Sequence, residues 1–149
     1  MKKKLMKKKI SHEIMDIAGA KVVFYPMQGV RSVLLRAVAH AGSVYEKGPS
    51  WGAMHLLEHM VHQGTKSFPD KKNIELFKEE TSVTSNAWTG GQELGFWFEF
   101  PDEGIDAGLK LFEEIVFNPT PPENELLRES NVIRQEYVDK WSNPYARYG

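Results

Sequence analysis

From Leu94 to Phe100 the apolar residues Leu94, Phe96, Phe98 and Phe100 alternate with Gly95, Trp97 and Glu99. A period of two puts successive side chains on opposite faces, so the stretch predicts a strand with one strongly apolar face. Ser82 to Trp88 precedes it across Thr89-Gly90-Gly91-Gln92, and the two runs read as a β-hairpin. Nearer the start, Lys21 to Tyr25 is a β-branched and aromatic run closed by Pro26 and the Gln28-Gly29 turn. Arg31 to His40 is a second extended run, ended by Ala41-Gly42-Ser43, and the short connection predicts that these two runs also pair as a hairpin.

Helical spacing fills the rest. After a loop from Tyr45 to Ser50, Trp51 to Thr65 carries an apolar side of Ala53, Leu56, Leu57 and Met60, and Gly64-Thr65 is expected to stop it as a C′ glycine does. Asn73 to Glu80 reads as a short helix with Ile74, Leu76 and Phe77 inward. Asp102 is expected to cap the next, where Ile105, Leu109, Phe112 and Val116 form a stripe and Asn118-Pro119 ends it. A last helix starts at Pro121-Pro122 and runs to about Trp141, with Leu126, Leu127, Val132, Ile133, Tyr137, Val138 and Trp141 as its buried side. Hairpin, helix, helix, hairpin, helix, helix is the order of an α+β fold. It predicts an antiparallel sheet built from hairpins with helices packed on one face, not a parallel doubly wound sheet.

Composition narrows the function classes. At 149 residues, 41% hydrophobic and 26% charged, the chain suits one globular domain with a real core. A net charge of -1 advertises no nucleic-acid partner. No apolar run is long enough to span a bilayer, and MKKKLMKKKI leads into SHEIMD without an apolar leader segment. Residues 1–12 therefore read as a basic flexible tail, residues 13–149 as the domain, and the expected location is cytoplasmic, without a membrane contact. The chain has no cysteine, so disulfides and thiolate metal sites are excluded, and metal ligands must come from His, Asp or Glu.

Such ligands stand together in His55-Leu56-Leu57-Glu58-His59. On a helix, His55 and His59 lie one turn apart with Glu58 between them in angle, so all three share a face. Two neutral imidazoles can converge on one Zn²⁺ and leave room for a third ligand and a water, whose proton Glu58 could take. H-x-x-E-H is the inverzincin spacing. The competing reading is a group of surface histidines and a glutamate brought together by coincidence. Further along, Glu129, Val132 and Glu136 sit at i, i+3 and i+7, so two carboxylates share a face with apolar residues. Charge on such a stripe needs a partner. Either a cation supplies it, zinc being one candidate, or both groups are solvated or paired with Arg128 or Lys140.

Taken together, these residues resemble the zinc metallopeptidases related to pitrilysin, insulin-degrading enzyme and the mitochondrial processing peptidase. The resemblance rests on Ala41-Gly42-Ser43 with Glu46, on His55-Leu56-Leu57-Glu58-His59-Met60 with Gly64-Thr65, on Asn86-Ala87 with Thr89, and on the helix after Asn118-Pro119. It implies zinc held by His55, His59 and Glu136, with Glu58 as general base and Glu129 as a carboxylate supporting a ligand histidine. It also implies that the Asn86-Ala87 strand lies along the cleft and binds peptide or unfolded substrate. Leu94 and Phe96 stand where the family's strand usually carries threonine and tyrosine, and His62 stands where an aromatic or aliphatic residue is common. Family members close a chamber from paired homologous domains of some two hundred residues, so this chain resembles the N-terminal part of one such ferredoxin-like domain. A second homologous domain or subunit is the expected partner. The resemblance favours a zinc endopeptidase. A non-catalytic zinc-binding module for peptides or a partner subunit is the alternative, and a metal-free scaffold is a third.

Overall fold

A computed structural model of the chain describes residues 11–142, which form nine regular elements besides short 3₁₀ turns. Two compact units divide at Arg31. Most of the basic run proposed as a tail lies outside the described residues.

The first unit holds an antiparallel pair, β1 (Glu13–Ile17) and β2 (Ala20–Phe24), in the register Ile14↔Val23 and Met15↔Val22. Ala18 and Gly19 join them with φ of 52° and 84°. Positive φ at both central residues is the primed turn whose twist matches a two-residue hairpin, and the Asp16 carboxylate accepts the Gly19 N–H at 3.1 Å. The expected hairpin between Lys21–Tyr25 and Arg31–His40 is therefore corrected: β2 pairs backward with β1, an element the sequence reading placed in no strand.

In the second unit β3 (Ser32–Ala39), β5 (Leu94–Pro101) and β4 (Thr84–Thr89) form an antiparallel sheet in that order. The β4–β5 hairpin and the alternation in β5 are as expected. Leu94, Phe96, Phe98 and Phe100 are buried on one face, where Val33, Leu35 and Ala37 of β3 and Ala87 of β4 join them through the register Leu35↔Phe98 and Ala87↔Phe96. Leu94 and Phe96 thus belong to the core.

α3 (Ile105–Phe117) covers that face with only half of the predicted stripe, Phe112 and Val116, which pack partly buried against the core. Ile105 and Leu109 are exposed, and the buried positions are Gly108, Leu111, Glu114 and Ile115. Gly108 decides the orientation: a Cβ there would stand 2.3 Å from the Phe100 ring, so only a glycine lets the helix come this close. Asp102 does not cap α3. It opens a 3₁₀ turn, Asp102–Gly104, and accepts the Glu103 N–H at 3.0 Å. α2 (Lys71–Thr81) is capped by Asp70, whose Oδ1 accepts the Asn73 N–H at 2.9 Å; Ile74 is buried, Phe77 is partly buried, and Leu76 is exposed.

Candidate metal centre

Two helices build the centre. α1 (Ala53–Met60) follows Gly52, at φ 89°, which has no side chain to cap the helix. Glu46 supplies one from upstream, its two oxygens accepting the Gly52 and Met54 N–H groups at 2.8 Å each. A carboxylate here meets the positive end of the helix dipole as well as two orphan donors. The loop that carries Glu46 is tied to the β4–β5 turn, because Ser43 N donates to Gly90 O at 3.1 Å and Val44 N to Gly91 O at 2.9 Å.

α1 ends at Met60, not at the expected Gly64-Thr65. Those residues belong to a clamp that holds the following segment against α3. Thr65 is buried and donates its hydroxyl to Glu114 Oε2 at 2.6 Å, while Ser67 gives Glu114 its N–H and its hydroxyl, each at 2.8 Å. Lys66 N to Asn118 O at 3.0 Å and Thr120 N to Gly64 O at 2.9 Å complete the clamp. Burial acts to raise the Glu114 carboxyl, but its Thr65 and Ser67 donors, with Lys110, outweigh it and hold the group below its ordinary value.

α4 (Glu123–Ser142) packs across α1 and brings its acidic face to the histidines. Glu136 Oε2 lies 3.3 Å from His55 Nε2, and Oε1 lies 3.8 Å from His59 Nε2. One ligand atom from each of the three residues lies within 4.8 Å of the others. Tetrahedral zinc with bonds of about 2.0–2.1 Å holds its donors about 3.3–3.4 Å apart, so this set fits the ion after a small closure. The imidazoles meet at 80° with centroids 4.9 Å apart, and Tyr137 stands edge-on to His55.

The other predicted residues fall around this group. Glu58 accepts the Thr89 hydroxyl on Oε2 at 2.6 Å and faces a cleft of about 500 Å³ lined by His55, Glu136, Trp88 and Lys140. Glu129 is buried and accepts from His59 Nδ1 at 2.9 Å and from Arg128 Nη2 at 3.2 Å. Its burial acts to raise the carboxyl, yet those two hydrogen bonds outweigh it and hold the group below the usual carboxylate range. Asn86 and Ala87 sit on β4, the strand at one edge of the sheet, Asn86 exposed and Ala87 buried. His62 is not in the ligand group: its Nδ1 bonds the Glu58 carbonyl at 3.3 Å, and burial lowers its pKa. Sequence reasoning missed Glu114, Gln63 and the cap made by Glu46. Only Glu46 carried a signal, as part of the motif before the helix.

Fold and centre together define the class: an α+β domain that carries an inverzincin H-x-x-E-H helix facing a glutamate from a second helix. The comparisons give the family. The model for Insulinase (Peptidase family M16) matches residues 22–148, and the chain belongs to that family. It is 32% identical over 126 residues to an uncharacterized zinc protease of Rickettsia felis, covering 85% of this chain and 30% of that one. It is 30% identical over 98 residues to human insulin-degrading enzyme, covering 66% of this chain and 10% of that one. A solved protease from Helicobacter pylori shares the fold with a TM-score of 0.83 at 23% identity, over 93% of this chain and 33% of that one. The chain thus spans about a third or less of the length of these three proteins. Among the described residues, no helix is long and apolar enough to cross a membrane.

Proposed function

We propose that this chain is the zinc-binding, catalytic part of a metalloendopeptidase that hydrolyses extended or unfolded peptides. One observation carries the reading: His55, His59 and Glu136 converge beside a carboxylate, Glu58, that a hydroxyl already holds in place. Zn²⁺ bound there supplies a Lewis acid for the peptide carbonyl and lowers the pKa of a water ligand to about 7. Glu58 is the general base. With Oε2 held by Thr89, its Oε1 is left to take the proton of the attacking water. Glu129 accepts the His59 Nδ1–H, which leaves the Nε2 lone pair for the metal. Among the described residues β4 pairs only with β5, so its outer edge, with Asn86 and Ala87, suits an extended peptide added as a further strand. A second homologous domain or subunit would complete the cleft.

The test is Glu58→Gln. It is expected to retain one zinc per chain while cleavage of an unstructured peptide falls by about 10²–10⁴-fold. A variant that cleaves as fast as the parent would end the assignment of Glu58. A second reading is a non-catalytic zinc module that binds peptides or a partner, since the His55, His59 and Glu136 group alone suits metal binding. Stoichiometric zinc without cleavage in the parent, even with a homologous partner domain added, selects that reading.

A further inference from the structure

We propose that Arg128 is a positioning residue for the metal centre: it donates to both Glu129 and Gln63, the side chains that hold His59 at ring and backbone, and so braces the ring of hydrogen bonds that presents the His59 Nε2 lone pair to the cation. The proposal rests on the reading of His59 as a zinc ligand.

The ring joins two buried side chains, Gln63 and Glu129, to a partly buried His59 and an exposed Arg128. Arg128 Nη2 lies 3.2 Å from Glu129 Oε1 and 3.5 Å from Gln63 Oε1, and its Nε lies 2.8 Å from Glu125 Oε2. Glu129 Oε2 is 2.9 Å from His59 Nδ1, and Gln63 Nε2 is 3.3 Å from the His59 carbonyl. Gln63 and Glu129 are 3% and 5% exposed, so little water can replace either partner. The His59 carbonyl lies in the last turn of α1, among the groups a helix leaves without an internal donor, and the Gln63 side chain answers it.

A guanidinium has five N–H donors and no acceptor. Facing it, Gln63 must present oxygen, so its NH₂ is turned toward the His59 carbonyl. Glu129 likewise accepts from Arg128 on one oxygen, and as a carboxylate it can only accept from His59 on the other. The His59 proton is then fixed on Nδ1, and Nε2, the nitrogen that faces Glu136, carries the lone pair. Glu129 and the His59 carbonyl, both acceptors, fix the sense of the two bonds at His59, and Arg128, donating to Glu129 and to Gln63, ties those two bonds together. The guanidinium also repels a dication, but its side chain is 59% exposed and solvent screens that effect, so orientation outweighs it.

The experiment measures zinc affinity at one fixed pH by competition with a chromophoric chelator, using the full chain and needing no peptidase activity. Supporting groups around metal ligands are typically worth 10–100-fold in affinity, so Arg128→Gln, one bond further out, is expected to weaken zinc by about 10-fold. Arg128→Lys keeps donors without an acceptor and is expected to recover most of that loss. In a Glu129→Gln background, Arg128→Gln is expected to change affinity less than twofold, because the path to the ring is already cut. A merely structural Arg128 would lack this coupling. Gln63→Met, which breaks the circuit elsewhere, is read alongside and stands in should Arg128→Gln fail to fold. A parent chain without zinc overturns the metal reading itself. Zinc-binding parent with Arg128→Gln within twofold, or an unchanged loss in the Glu129→Gln background, overturns the role of Arg128 and leaves the zinc site standing.

Discussion

Replacing Glu114 by Gln tests whether the clamp behind α1 rests on charge. The carboxylate is 8% exposed and takes three donors, the Thr65 hydroxyl at 2.6 Å and the Ser67 N–H and hydroxyl at 2.8 Å. An amide of the same size keeps one oxygen for Thr65 and the Ser67 N–H, and its NH₂ meets a Ser67 hydroxyl that must reverse. Hydrogen bonds to a charged group are worth about 1.5–3 kcal/mol and neutral ones about 0.5–1.5 kcal/mol, so losing the charge on three bonds costs about 3–4.5 kcal/mol. For a domain of this size that is a Tm lower by about 9–14 °C at pH 7. The pH dependence follows from the depressed native pKa of Glu114. Above the unfolded pKa the charge contributes in full; as pH falls through about 4.5 toward the lower native value, the unfolded chain binds the proton first and the contribution is lost. Urea unfolding followed by circular dichroism between pH 7 and about pH 4 should therefore give a gap between parent and variant that narrows toward acid. A gap below about 1 kcal/mol at pH 7, or one that stays constant down to acid unfolding, would refute the reasoning.

Two further substitutions probe the wall that positions α1. Glu46→Ala removes the acceptor of two N–H groups at the start of that helix and is expected to lower stability by about 1–2 kcal/mol, with a Tm loss under about 2 °C counting against the cap. At Gly42 an added Cβ would meet the backbone of Gly91, Gln92 and Glu93 at 2.4–2.5 Å, so Gly42→Ala is expected to cost about 3 kcal/mol; Gly91→Ala, whose Cβ meets only Val44 at 3.9 Å, should stay within about 0.5 kcal/mol. Equal denaturation midpoints for the two variants would mean that the loop does not pack on the β4–β5 turn as described.

What the sequence carried openly was local. Histidines one turn apart, the period of β5 and the glutamates two turns apart on α4 each lie within a single element, and each stands where its spacing put it. Pairing and burial are decided at longer range, and apart from the β4–β5 hairpin and the buried face of β5 the expectations there failed. β3 pairs with β5 some sixty residues later, and nothing near Lys21 to Tyr25 announces that its partner is β1, joined by Ala18-Gly19 and not by a stronger turn pair. The end of α1 is set by Thr65 reaching across to Glu114, a contact that no neighbour of Gly64 predicts.

α4 makes the same point with function attached. Its large apolar residues were expected inside, yet only Ile133 among them is buried, while Leu127 and Trp141 are 72% and 65% exposed. The face turned to α1 is the one carrying Glu129 and Glu136, because the histidines of α1 offer those carboxylates partners and the leucines gain less there. Counting apolar residues ranks the faces of a helix by hydrophobic gain alone. On α4 that ranking yields to two buried or half-buried carboxylates that must be answered, and the apolar residues Tyr137, Val138 and Trp141 are left lining an open groove with Trp51 and Leu56. The packing that breaks the hydrophobic rule is thus the packing that assembles the candidate metal centre, and the departure itself locates the site.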